Sequence, residues 1–208
     1  MRFRRSCANL YTSLRFSKNC AISLSLACFG NFARNNRGNA VIELALALPV
    51  MLMLGFGGFE MTRYILIQQK ISKTVSSMSD LVARSPSISN TEVTQMFNAV
   101  PHLMAPYYTP ADAVVIISSV ANYGSGPVIT WQRSGGGTKA TLSAIGTQGG
   151  AATLPAGFTL NTNENTIVAE IYYDYDPVVA PNILAASTLY KARFNMPRLG
   201  RLDTIKAQ

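Results

Sequence analysis

Few side chains in this 208-residue sequence are suited to bond-making chemistry. There is one histidine, His102, and the three cysteines, Cys7, Cys20 and Cys28, all precede residue 39. A Ser-His-Asp relay would have to run through His102, and a histidine metal site could draw on a single imidazole. The plain reading of His102 is an ordinary helix residue. If the segment before residue 39 is removed, no thiol remains for a disulfide, a thiolate ligand or a nucleophile. Gly135-Gly136-Gly137-Thr138-Lys139 has the composition of a phosphate loop but lacks the Gly-x-x-x-x-Gly-Lys spacing, and no helical pattern follows, so it reads as a hairpin loop. Asp174 and Asp176 lie on one face of an alternating strand, about 6.6 Å apart by strand rise, near the separation used by inverting glycosidases. With Lys191 and Arg193 in a neighbouring strand pattern, a solvated sheet face is favoured over an acid–base pair. Tyr172, Tyr173, Tyr175 and Trp131 could stack sugars or bases, yet at strand period they read as core and cross-strand pairs. The expectation is no catalytic residue, no metal, no cofactor and no enzyme.

The charge of +8 suggests a nucleic-acid binder until it is located. Seven of the 18 Lys and Arg precede residue 39, where there is no acid, which leaves eleven basic against ten acidic residues in the remainder. A charge confined to a leader does not make a phosphate-binding face, so no nucleic-acid partner is expected.

Next comes an acid in an apolar setting. Sixteen residues from Leu44 to Phe59 carry no charge, and Val41 and Ile42 extend the run to nineteen with Glu43 as its one interruption. As a helix this stretch covers about 28 Å, close to the roughly 30 Å of a bilayer's hydrocarbon layer. It is apolar on every face, which a small water-soluble domain has little room to bury. The basic residues before it, against Arg63, Lys70 and Lys73 after it, predict a cytoplasmic amino end. A secretory signal peptide fits less well, because the apolar run Ala21 to Phe29 is short and broken by Ser23 and Ser25. A lipoprotein-type site at Cys28 lacks the expected residues before it.

An unpaired carboxylate in a membrane helix costs on the order of 2.5 to 3.5 kcal/mol at mid-membrane, less near the edge, so Glu43 calls for a partner or for snorkelling to the headgroups. Pro49 removes a backbone bond inside the span, a loss that neighbouring helices can offset. Gly55, Gly57 and Gly58 offer either a small face for close helix approach or flexibility near the outer interface.

The boundary Arg37-Gly38-Asn39-Ala40-Val41-Ile42-Glu43 resembles the processing site of type IV prepilins and pseudopilins. In them a prepilin peptidase cuts after the glycine and leaves an acid as the fifth mature residue. With Ala45-Leu46-x-Leu48-Pro49, a Leu/Met/Gly run and Phe59-Glu60, the stretch of about 25 residues resembles the TadE-like family of tight-adherence pilus assembly proteins. The resemblance implies cleavage between Gly38 and Asn39, and a pairing of Glu43 with the α-amino group of Asn39 in a neighbouring subunit. Its implied partners are the prepilin peptidase, other pilin or pseudopilin subunits, the pilus assembly machinery and the lipid bilayer. Its implied setting is a single-pass bacterial inner-membrane protein with a periplasmic head.

After the span, Tyr64, Ile67, Ile71, Val75, Met78, Leu81 and Val82 recur at helical spacing, which extends the helix to about Arg84, where Ser85-Pro86-Ser87 stops it. A Ser89-x-x-Glu92 capping box opens a second helix that runs toward Pro106. Strands are predicted at Ala113 to Val120, Val128 to Arg133, Ile167 to Asp176 and Leu189 to Met196, with Ser134 to Asn165 mostly loop. The last two are predicted to pair antiparallel with the face of Glu170, Asp174 and Asp176 set against that of Lys191 and Arg193. The fold class is α+β: a long transmembrane helix extended by an amphipathic helix, a second short helix, then a mainly antiparallel sheet. The expected organisation is a leader (1–38), a transmembrane helix (39–60), a helical extension (61–84) and a periplasmic head (85–208). Two roles follow: a minor pilin or pseudopilin of a tight-adherence pilus, or an anchored periplasmic module that binds a ligand or cell wall.

Overall fold

The computed structural model describes residues 39–179, 181 and 184–206. The leader, with Gly38 and the three cysteines, lies outside the described residues. The chain divides into two compact units, residues 1–54 and 55–208.

One helix, α1 (Asn39–Arg84), passes through 46 residues without interruption, Pro49 included. In the first unit every residue from 40 to 54 is exposed, as expected of a surface suited to lipid rather than to a protein core. In the second unit the same helix is one-sided. Ile67, Ile71, Val75, Met78 and Val82 are buried at intervals of three and four, most of the predicted stripe, while Tyr64 is half-buried and Leu81, expected within it, is exposed. It ends where Pro86 disfavours a further turn, and Ser85 N–H bonds back to Val82 O at 3.1 Å.

The second helix, α2 (Asn90–Met104), starts with the expected capping box: Glu92 N–H donates to Ser89 Oγ at 3.2 Å, and Ser89 N–H donates to the Glu92 carboxylate at 2.8 Å. Val93, Phe97, Val100 and Met104 form its buried face.

Four strands follow, β1 (Ala113–Asn122), β2 (Pro127–Gly135), β3 (Asn165–Tyr175) and β4 (Ser187–Asn195), in the order β2-β1-β3-β4 with every pair antiparallel. The α+β class is as predicted. The stripe of α1 and the face of α2 join Val115, Ile117, Trp131, Ile167, Ala169, Ile171, Tyr173 and Tyr175 in one core. A smaller core lies on the opposite face, where Val120, Ile129 and Val168 meet Ile145, Ala152 and Leu160 of the long 136–164 segment. That segment is mostly loop, as read, but it covers the sheet.

Three expectations need correction. First, β3 and β4 pair, but the register sets Ile171 opposite Lys191, Ala169 opposite Arg193, and Glu170 opposite Ala192. Residues directly opposite share a face, so Lys191 and Arg193 lie on the side away from Glu170 and Asp174. Second, the face of Val168 and Glu170 is buried rather than solvated, because the 136–164 segment lies over it. Third, the three glycines do not close a hairpin. β2 and β3 are not neighbours, so the chain leaves β2 and crosses to the far side of β1. The glycines admit helix and backbone instead: a Cβ on Gly135 would strike the Phe97 ring, one on Gly136 would meet Val100, and one on Gly137 would run into the Ala113 carbonyl.

Candidate membrane-assembly site

The amino-terminal determinants fall at the start of α1. Asn39 is its first residue and Glu43 lies one turn in, on an exposed surface. Among the described residues no cation pairs with Glu43, while the surface around it is hydrocarbon. Of the described helices, α1 alone is long and apolar enough to cross a membrane, and the apolar window that qualifies it is entirely exposed. It is consistent with a single-pass anchor. Pro49 is accommodated within the helix. A Cβ on Gly55 or Gly58 would meet nothing within 4 Å, and Gly57 is partly covered, so Gly55 and Gly58 leave an open notch on the helix.

A second acid on α1 has a different setting. Glu60 ends the uncharged run and is fully buried. Its carboxylate accepts the Tyr175 hydroxyl, the backbone N–H of Val179 at 2.9 Å, that of Val178 at 3.3 Å, and Arg63 Nη1 at 3.2 Å. The same Arg63 nitrogen donates to Asp176 O at 3.0 Å, and its guanidinium sits 5.7 Å from the centre of the Tyr175 ring. Tyr64 meets that ring edge-on at 5.1 Å. Burial first, then the bond to Glu60, pushes the Tyr175 phenol up to about 12, so it remains a donor at physiological pH. Sequence reasoning included Glu60 in the family-like stretch without giving it a function. The available signal was a lone acid three residues before a basic one, facing the same side of the helix.

The other buried acid, Glu170, accepts Tyr190 Oη at 2.8 Å, Ala144 N–H at 3.1 Å, Tyr172 Oη at 3.4 Å and the Ser143 hydroxyl. It fastens the covering segment to the sheet. Asp174, predicted beside Lys191 and Arg193, pairs instead with Lys139 and accepts Thr188 Oγ1 at 2.6 Å. Asp176 is exposed and joins no ion pair among the described residues, so the two aspartates sit in different surroundings. His102 is exposed on α2, and Lys139 serves Asp174 rather than a phosphate cradle. Trp131 donates to Leu202 O at 2.8 Å, Tyr173 to Tyr107 O at 2.7 Å, and Tyr172 stacks on Tyr190 at 4.9 Å. These aromatics are core and cross-strand pairs, as read. Among the described residues no group of three His, Cys, Asp or Glu side chains gathers as metal ligands do. An open groove between α1 and β4 is lined by Ile65, Gln68, Gln69, Ser72 and Lys191.

Among the described residues the arrangement combines a bare apolar helix, carrying near its start a carboxylate with no ion-pair partner, with a buried carboxylate further along held by Tyr175, Arg63 and two backbone amides. No curated protein and no solved structure matches the chain. Residues 38–77, from the glycine before α1 through the apolar run and into its buried stripe, match the family model described as TadE-like protein, and it is over this segment that the chain is similar to that family.

Proposed function

We propose that the protein is a non-enzymatic, minor pilin- or pseudopilin-like component of a tight-adherence pilus, inserted in the bacterial inner membrane with its head in the periplasm. The observation that carries this reading is Glu43, an exposed carboxylate one turn into an otherwise apolar surface, inside the segment that matches TadE-like proteins. Such a group is stable in lipid when a positive charge meets it, and an α-amino group freed at Asn39 of a neighbouring subunit has the right sign and depth. Prepilin peptidase would create that amine by cutting after Gly38. The exposed helix with Gly55, Gly57, Gly58 and the kink-tolerant Pro49 would then enter a bundle of other pilin or pseudopilin helices, assembled by the pilus machinery. The head would cap or prime the fibre.

Amino-terminal sequencing of the protein from the membrane fraction is expected to begin at Asn39; a start at Met1 would sink the processed form. A Glu43→Ala chain is expected to reach the membrane in normal amount and to fail to support pili. Normal piliation with that chain would overturn the assembly role.

A further inference from the structure

The turn that follows β3 combines two features. Val178 is 69% exposed and Val179 38% exposed, although both are apolar. Both of their backbone N–H groups are already spent on the carboxylate of Glu60, at 3.3 and 2.9 Å, and Arg63 holds the Asp176 carbonyl just before them at 3.0 Å. Glu60 is the first charged residue after the sixteen-residue apolar run, so the turn is tied to α1 where the hydrocarbon layer would end. Phe56, one turn earlier on that side of α1, is 53% exposed.

The physical pattern is that of a surface prepared for lipid. A backbone amide brought to the hydrocarbon edge without a partner is strongly disfavoured, and here the exposed valines have theirs satisfied within the protein. A carboxylate at that depth needs neutralising, and Glu60 has Arg63, a phenol and two amides.

We propose that this turn is a second membrane contact, with Val178 and Val179 seated in the interfacial layer of the same bilayer that α1 crosses. The inference rests on the spanning role of residues 44–59.

Depth-dependent quenching tests it on the full chain, reconstituted in phosphatidylcholine vesicles whose lipids carry bromine either near the headgroup or deep in the acyl chain. The native Trp131 is buried and bonded to Leu202 O, so it provides an unquenched background and a reporter of head folding. Val178→Trp is expected to be quenched by the shallow bromines, Leu52→Trp by the deep ones, and Leu142→Trp, an exposed apolar site outside the turn, by neither. Quenching of Leu52→Trp with none for Val178→Trp would overturn the second contact and leave the span intact. No quenching of Leu52→Trp would overturn the span itself. Equal quenching of Leu142→Trp would mean general adsorption of the head. A Val178→Trp emission that answers to the protein-to-lipid ratio but not to bromine would assign the turn to a second copy. Either of these last two results also overturns the proposal.

Discussion

Three acids show how context assigns a carboxylate its work. Glu60 is buried and supplied with four donors, so removing one should be costly while removing none leaves a rigid joint. Tyr175→Phe deletes the hydroxyl and keeps the ring against Tyr64, so the loss isolates the bond; it should lower the stability of the head by about 1–3 kcal/mol in urea unfolding. A variant as stable as the parent would show that water replaces the phenol. Asp174 is held below the ordinary carboxylate range, first by the bond from Lys139 and then by that from Thr188. A carboxyl with a depressed folded value stabilises the fold above its unfolded value of about 3.9, and the benefit is lost as pH falls through the lower folded value. Asp174→Asn should therefore flatten the fall in thermal midpoint below about pH 4, and an unaltered slope would assign the acid sensitivity elsewhere. Glu43, the third, has apolar residues around it and no ion-pair partner among the described residues, and the proposed pairing with a neighbouring subunit draws on that exposure.

The elements were legible wherever the signal was local. Ser89 and Glu92 announce a helix start because both partners of the cap lie within four residues, and the structure forms both bonds. The stripe from Ile67 to Val82 is legible because helical periodicity states which face is covered. The register of β4 was not, because alternation fixes which residues share a face within a strand but not which face of the neighbour they meet. The burial of Glu170 was hidden by the 136–164 segment, whose Gly, Thr and Asn content reads as open loop while Ile145, Ala152 and Leu160 supply a second core. The candidate site divides in the same way. Glu43 stood out against its apolar neighbours, whereas three of the four donors to Glu60 come from residues 115 to 119 positions away. The glycines after β2 carry an element-level prediction. Gly137→Ala would force a methyl into the Ala113 carbonyl and should destabilise the head by about 1–3 kcal/mol, whereas Gly149→Ala, at φ +81° in open space, carries only the left-handed strain of roughly 1 kcal/mol. Equal losses in thermal unfolding would show that the start of β1 and the Pro110 turn yield to the added methyl.

At the scale of the whole molecule, α1 is used twice, and the two uses make different demands on sequence. From residue 55 onward, burial fixes the identity of each stripe residue, since Ile71, Met78 and Val82 are fully enclosed and a truncation to alanine leaves a cavity costing about 2–5 kcal/mol for the larger side chains. From 40 to 54 none of the described residues covers the helix, so a tether would need only length and hydropathy there. A subunit that enters a bundle needs more: an acid at the right depth, notches that let backbones approach, and a kink its neighbours can satisfy. Replacing residues 44–59 with a leucine-rich helix of equal length, while keeping Gly38 to Glu43 and the head, separates these demands. The chimera should insert, keep a folded head and be processed like the parent, and it should fail to restore pili in cells lacking the native chain. Full restoration would reduce the span to an exchangeable anchor and move the assembly function into the head. Loss of insertion or processing as well would instead make residues 44–59 part of the recognition signal read by the membrane machinery, not only of the bundle formed afterwards.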